Sequence, residues 1–225
     1  MTAYTILMPC LNEEKSLMFC IGEAQSFIRR LSLDAEILIA DNGSADASVK
    51  IAQSCGARVI EVAERGYGAA LIGGIRAAEG KYIIMGDADG SYDFAHLDLF
   101  TEALENGADL VVGDRFAGGI EKGAMPFSHR WGVPFLSAIA RVRFHTEVND
   151  FHCGLRGFDR EKALSLGLSC AGMEFATEMI ARFAESGAVI RQVPTTLRRD
   201  RREGKPHLRT IRDGLRHLRF ILCYH

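Results

Sequence analysis

From the start of the chain to about residue 113, short apolar runs alternate with amphipathic stretches. Tyr4 to Met8, Glu36 to Ala40, Arg58 to Val62, Tyr82 to Met85 and Leu110 to Val112 are rich in Ile, Val and Leu and bounded by Gly, Asp or Pro. Runs of that length and composition predict buried strands. Between them, segments near 14–30, 45–55, 67–79 and 95–106 carry apolar residues at helical spacing. Ser44 or Asp46 is positioned to cap the second of these, and Gly56 and Gly80 follow two of them. Strand and helix alternating at this interval predict right-handed crossovers, hence an α/β fold with a mostly parallel central sheet flanked by helices.

After residue 113 the rhythm breaks. Phe116 to Phe127 reads as a Gly-rich loop, followed by a helix from Phe127 to Phe144 that must accommodate Pro134 as a kink or a restart. Cys153 to Phe158 predicts a further strand, 173–185 a helix, and Val189 to Val193 a last strand before Pro194. There is no repeat and no low-complexity linker, so residues 1–210 are expected to form a single domain. Residues 211–225 are expected to form a basic amphipathic helix, facing a membrane or docked on the body.

Composition narrows the class. The chain has 225 residues, 48% hydrophobic and 25% charged, which fits a soluble globular protein and excludes disorder and coiled coil. No stretch approaches the roughly 18–20 apolar residues of a membrane-spanning helix, and the N-terminus lacks a signal-peptide pattern, so a cytoplasmic chain is expected. The six cysteines show no C-x-x-C pair and read as reduced thiols. The net charge of −2 conceals an asymmetry: residues 191–225 hold ten basic and three acidic residues, leaving 17 basic and 26 acidic before them. A basic tail on an acidic body predicts an anionic partner, whether phosphate, nucleic acid or lipid head group.

In an open α/β sheet, ligands bind beyond the carboxyl ends of the strands. The residues there are Pro9 to Glu13, Asp41 to Ser44, Glu64 to Gly68, Asp87-Ala88-Asp89 and Gly113-Asp114-Arg115, a polar and largely acidic rim. Asp87 and Asp89 can share one hard cation whose other sites are filled by substrate phosphate, or can simply end a strand as a turn. Asp41 can accept from a ribose hydroxyl or a base N–H, or belong to a capping cluster. Gly66-Tyr67-Gly68 resembles a dinucleotide fingerprint, but its third glycine falls at Gly73, two positions late, and it follows the third strand. A nucleophile elbow is missing and the seven histidines have no metal spacing. The Arg- and Lys-rich stretch 197–209 suits a loop folding over a diphosphate.

In this order, the blocks Met8-Pro9-Cys10-Leu11-Asn12-Glu13-Glu14, Ala40-Asp41-Asn42-Gly43-Ser44, Arg65-Gly66-Tyr67-Gly68-Ala69-Ala70, Gly86-Asp87-Ala88-Asp89-Gly90, Gly113-Asp114-Arg115-Phe116, Asn149-Asp150-Phe151-His152-Cys153-Gly154 and Met173-Glu174-Phe175 resemble glycosyltransferase family 2, with its GT-A fold. The later blocks are similar to the branch that glycosylates polyprenyl or dolichyl phosphate. The resemblance implies that Pro9, Asn12, Glu13 and Asp41 line the nucleotide pocket. It implies Asp87 and Asp89 as ligands of Mg²⁺ or Mn²⁺ and of the diphosphate, and Arg202 and Lys205 as the basic loop over the donor. Arg115 and Arg130 would face the acceptor phosphate. After Asp89 the chain departs from the dolichyl-phosphate mannose synthases, with Gly90-Ser91-Tyr92-Asp93 in place of L-Q-H-P.

The expected reaction is an inverting, metal-dependent hexosyl transfer from a UDP- or GDP-sugar, peripheral on the cytoplasmic face of a membrane. Asp89, Arg115 and Asp150 are its expected catalytic residues. A phosphate acceptor needs cationic positioning only; a sugar hydroxyl would need a carboxylate base, Asp150 or Glu174. Two readings from other classes are a non-catalytic nucleotide-sugar binding module and a nucleotidyltransferase, the second disfavoured by the lack of glycine in Pro9 to Glu13. No nucleic-acid partner is expected.

Overall fold

The computed structural model describes residues 2–201 and 210–224. Its elements in chain order are β1 (Tyr4–Cys10), α1 (Leu17–Leu31), β2 (Ala35–Asp41), α2 (Ser48–Ser54), β3 (Arg58–Glu61), α3 (Tyr67–Ala77), β4 (Tyr82–Met85) and α4 (Asp98–Glu105), followed by β5 (Leu110–Asp114), α5 (Arg115–Gly118), α6 (Phe127–Phe144), β6 (Arg156–Asp159), α7 (Arg160–Ser165), α8 (Phe175–Glu185), β7 (Ile190–Pro194) and α9 (Thr210–Cys223). The seven strands form one sheet in the order β3-β2-β1-β4-β6-β5-β7.

The first five strands follow the sequence pattern closely: β1, β2, β4 and β5 are largely buried apolar runs, as a helix-covered sheet requires, while β3 is a half-buried edge strand. Tyr4 to Met8, Ile37 to Ala40 and Ile83 to Met85 are all buried. Helix α1 sends Leu17, Cys20, Ile21, Ala24 and Phe27 inward, a spacing that lines up one face of a 3.6-residue helix. Fully burying an aromatic or branched side chain of this kind stabilises by about 1.5–3 kcal/mol.

Three sequence expectations need correction. The cap of α2 is Ala47 by backbone position, without a capping side chain. Asp46 still accepts the Ser48 N–H at 2.9 Å, whereas Ser44 instead receives the Asn12 N–H at 2.9 Å. The Gly-rich loop after residue 115 begins as the short helix α5, because the Asp114 carboxylate caps it by accepting from Phe116 and Ala117. Helix α7 has no counterpart in the periodicity reading; Asp159 starts it by accepting the Lys162 N–H at 2.9 Å.

Strand β6 is antiparallel to both of its neighbours, β4 and β5, while all other pairings are parallel. Arg156, its first residue, stands opposite Met85 and Val112, near the carboxyl ends of β4 and β5. The loop that leads into β6, with Asp150 and Gly154, therefore arrives at the same rim as the loops that leave β4 and β5. The strand order also reverses at β1, with β2 and β3 on one side and β4 on the other. In open α/β sheets ligands bind at such a switch point, which here lies between the ends of β1 and β4, at Pro9–Glu13 and Asp87–Asp89.

Helix α6 runs through Pro134 in one piece. Pro134 is exposed, so the helical bond it cannot donate is lost on the solvent side. Helix α9 packs against α6 and α8, with His217, Ile221 and Tyr224 buried. Its inner face is thus turned onto the body, leaving Arg216, Arg219 and Leu222 outward. Among the described residues no helix is long and apolar enough to cross a membrane.

Candidate active site

At the ends of β1 and β2 two loops are stitched together. The Asn12 side chain accepts the Ala45 N–H at 2.8 Å, the Glu13 N–H donates to Ser48 Oγ at 2.8 Å, and the Glu14 N–H donates to Asp46 at 3.1 Å. Asn12 has φ 58, a left-handed conformation that Asn tolerates better than most residues. Pro9 and Glu13 sit beside it, Glu13 buried and accepting from Ser16 Oγ at 3.2 Å. Asp41 is buried at the end of β2, where its carboxylate accepts from Gly43 at 3.0 Å and from Ser44 at 3.2 Å. This Asx-type turn is a local role for Asp41 that runs alongside any contact with a nucleotide.

Asn42 extends the same corner. Its amide donates to the carbonyls of Val62 and Glu64 at 3.0 and 2.7 Å and accepts the Gly66 N–H at 2.8 Å. One side chain thus fixes the turn between β3 and α3 against the end of β2.

Asp87 and Asp89 leave β4 side by side with the crevice. Asp89 is buried and accepts the Ser91 N–H at 2.9 Å; Gly90 adopts φ 82 to make that turn. The chain segment ending at Arg201 lies directly along it. The Arg198 N–H donates to the Ser91 carbonyl and the Arg201 N–H to the Asp89 carbonyl, both at 2.8 Å. Arg201 stacks its guanidinium 3.5 Å from the Phe19 ring centre, and Arg198 pairs with Glu23 and Asp93. Arg202 and Lys205, the expected donor-loop cations, lie outside the described residues.

Arg115 leaves β5 and is held by Asp150 in a two-point pair, at 2.6 Å from Nε and 2.8 Å from Nη2. Asp150 is fully buried and Arg115 is 11% exposed. Burial disfavours the guanidinium charge, but Tyr92 and Asp150 outweigh it and hold its pKa well above the ordinary value. Arg130, expected to join Arg115, is exposed on α6 and has no carboxylate partner among the described residues. Glu174, the other candidate base, pairs with Arg216 at 2.8 Å.

Several organising residues were not singled out by sequence reasoning. Arg156 is fully buried and donates to three backbone carbonyls, those of Cys153, Ala176 and Phe151, at 3.0, 2.7 and 2.8 Å. The Tyr92 hydroxyl accepts the Gly154 N–H at 2.8 Å, tying the β4 loop to the loop before β6. Both residues lie inside recognisable blocks, yet nothing in a linear pattern distinguishes an arginine that clamps backbone from one that meets substrate. Among the described residues there is no cluster of three or more side chains able to hold a metal. Two carboxylates at a strand end nevertheless fit a Mg²⁺- or Mn²⁺-type ion, which binds few protein ligands and takes the remainder from phosphate and water.

A carboxylate rim at the switch point of a helix-flanked sheet, with guanidinium groups opposite, defines the class: this is a GT-A glycosyltransferase fold. Glucosyl-3-phosphoglycerate synthase from Mycobacterium tuberculosis, solved with uridine diphosphate, matches it with a TM-score of 0.76 over 99% of this chain and 79% of that one, at 21% identity. The same enzyme has also been solved with Mn²⁺, UDP-glucose and phosphoglyceric acid. The sequence profile of glycosyl transferase family 2 matches residues 5–167, and the chain belongs to that family.

Its relatives include the low-salt glycan biosynthesis hexosyltransferase Agl6 of Haloferax volcanii, 37% identical over 97% of this chain. The chain spans 52% of the length of that relative. A dolichyl-phosphate hexose transferase of the same organism is 30% identical over 88% of this chain and 86% of its own length. The family resemblance drawn from the sequence blocks therefore holds, including its dolichyl-phosphate hexosyltransferase-like branch.

Proposed function

We propose that this glycosyltransferase moves a hexose from a nucleotide-diphospho-sugar to a polyprenyl-type phosphate, with inversion, at a membrane surface. The observation that carries the acceptor class is the Arg115–Asp150 pair. An inverting transfer to a sugar hydroxyl needs a carboxylate free to take the proton. Both oxygens of Asp150 are occupied by Arg115, which leaves Glu174 as the remaining candidate base: its Oε1 is paired with Arg216, while its Oε2 has no hydrogen-bond partner among the described residues. A phosphate acceptor is already anionic near neutral pH and needs only to be held in line, which a fixed guanidinium does.

In this reading the nucleotide lies between the Pro9–Glu13 and Asp41–Ser44 loops. Asp87 and Asp89 would hold the divalent ion and through it the donor diphosphate; when bound, the ion neutralises charge on the departing nucleoside diphosphate. Arg115 orients the acceptor phosphate, Asp150 keeps Arg115 in place, and Arg130, on the first turns of α6, meets the acceptor from outside. Arg202 and Lys205 fit the same scheme as donor-loop cations, since the segment ending at Arg201 bonds to the Asp89 backbone.

The membrane side is supported by α6 rather than α9. Phe127, Trp131, Phe135 and Val142 are 78%, 71%, 65% and 78% exposed. At 3.6 residues per turn these four fall within about 80° of arc. By the same geometry Arg130 and Arg141 flank one side of that stripe and Arg143 the other. An apolar, aromatic outer face bordered by cations suits the boundary of an anionic bilayer.

The test is an acceptor panel with purified protein, UDP- and GDP-hexoses, Mg²⁺ or Mn²⁺, and short polyprenyl phosphate, sugar hydroxyl and phosphoglyceric acid acceptors. Transfer to polyprenyl phosphate, lost in Arg115→Ala, is the expected result. Turnover on a sugar hydroxyl with none on the lipid phosphate overturns the acceptor assignment, and full activity in excess chelator overturns the metal assignment.

A further inference from the structure

Between α8, the last turns of α9 and the 169–174 loop lies a cavity of about 460 Å³ that opens to solvent. Three arginines line it: Arg182 from α8, and Arg216 and Arg219, one turn apart on α9. Phe220 and Tyr224 form an apolar wall beside them.

Two carboxylates share the lining, and their charge is largely taken up locally. Glu178 is buried and accepts from the N–H groups of Ser169 and Cys170 at 3.0 and 2.8 Å and from Ser169 Oγ at 3.1 Å. Glu174 gives one oxygen to Arg216 at 2.8 Å. A Cβ on Gly172 would collide with both members of that pair, so the pair lies directly on the loop backbone. Arg182 and Arg219 have no carboxylate partner among the described residues. Arg182 is half-buried, with its guanidinium 5.3 Å from the Tyr224 ring centre. Its Nε and Glu174 Oε2 are both buried atoms without a hydrogen-bond partner among the described residues. A donor and an acceptor left unpaired on one cavity wall are unfavourable unless a ligand completes them.

We propose that this cavity is an anion site for a phosphate ester: Arg182 and Arg219 meet the phosphate oxygens, and Glu174 Oε2 accepts from a hydroxyl on the same ligand. The apolar wall, and the packing of α9 on α6 with its exposed aromatic side chains, suit the head group of a glycerophospholipid. A free phosphate ester offers the same chemistry. None of the three arginines belongs to the rim that holds Arg115 and Asp87, so the cavity is a second site whatever acceptor the first one takes.

Calorimetry with the purified protein at fixed ionic strength reads binding of two probes, glycerol phosphate and dihexanoyl phosphatidylglycerol kept below its micelle concentration. The wild type is expected to bind at least one, and Arg182→Gln and Arg219→Gln each to weaken that binding about tenfold or more. Tighter binding of phosphatidylglycerol identifies a lipid as the source of the phosphate, and tighter binding of glycerol phosphate a soluble ester. Arg115→Ala separates the two sites and should keep wild-type affinity for the probe. Affinity lost in Arg115→Ala and kept in Arg182→Gln and Arg219→Gln puts the ligand at the rim and overturns the proposal, as does the absence of binding to either probe at millimolar concentration. Arg219 is exposed, so Arg219→Gln decides the matter if Arg182→Gln does not fold.

Discussion

At the residue scale, the site depends on side chains whose charge is fixed by neighbours rather than by water. Arg115 and Asp150 are the sharpest case, since separating them leaves a buried group without its counter-charge. Breaking a buried ion pair from one side costs about 3–5 kcal/mol. Asp150→Asn is therefore expected to lower the melting temperature and to reduce kcat/KM for the acceptor at least tenfold, with the KM for donor little changed. Thermal melts and two-substrate kinetics check both; an unchanged acceptor kcat/KM would separate Asp150 from acceptor positioning. The sequence blocks named both residues, but as separate actors. Their pairing across 35 positions is visible only once the loop before β6 is folded against the end of β5.

At the element scale, α9 packs one face on α6 and α8, the docked alternative of the sequence reading, and α6 exposes apolar side chains that the sequence reading did not single out. Each helix carries three arginines, yet the inner face of α9 is spent on the body, while α6 carries an uncovered aromatic stripe. Replacing Phe127, Trp131 and Phe135 together by Ser should abolish sedimentation with anionic vesicles and leave the melting temperature within a few degrees of wild type. Retained vesicle binding would move the membrane contact elsewhere.

The α9 contact also carries a pH dependence. His152 lies with its ring centre 4.5 Å from that of His217 on α9, and His217 in turn meets Thr177 of α8 at 2.9 Å. Neither ring nitrogen of His152 has a hydrogen-bond partner among the described residues. Burial first, then His217, Arg115, Arg156 and His129, hold its pKa well below the ordinary 6.5. The unfolded chain then binds the proton that the folded chain refuses, so stability present above pH 6.5 is lost as pH falls below it. Melting temperatures from pH 7.5 to 5.5 should decline, and the decline should be shallower in His152→Leu; equal slopes would exclude His152 as the source.

At the scale of the whole molecule, the rim is a meeting of loops from five strands, with carboxylates at the strand ends and the Arg198–Arg201 segment bonded to the backbone of Ser91 and Asp89. Binding of the donor nucleotide should fall when the metal is removed by chelator and recover on adding Mn²⁺, a cycle that calorimetry with UDP or GDP measures. By itself, the sequence determined the helix-flanked α/β sheet, its first five strands and the polar residues at their carboxyl ends, because apolar period and strand-end chemistry are local and written in order. Only the tertiary structure decided the antiparallel insertion of β6, the Arg115–Asp150 coupling, and which helix keeps an apolar face outward. Those depend on which distant segments pack together, and side-chain identity along a line does not state what lies across from it.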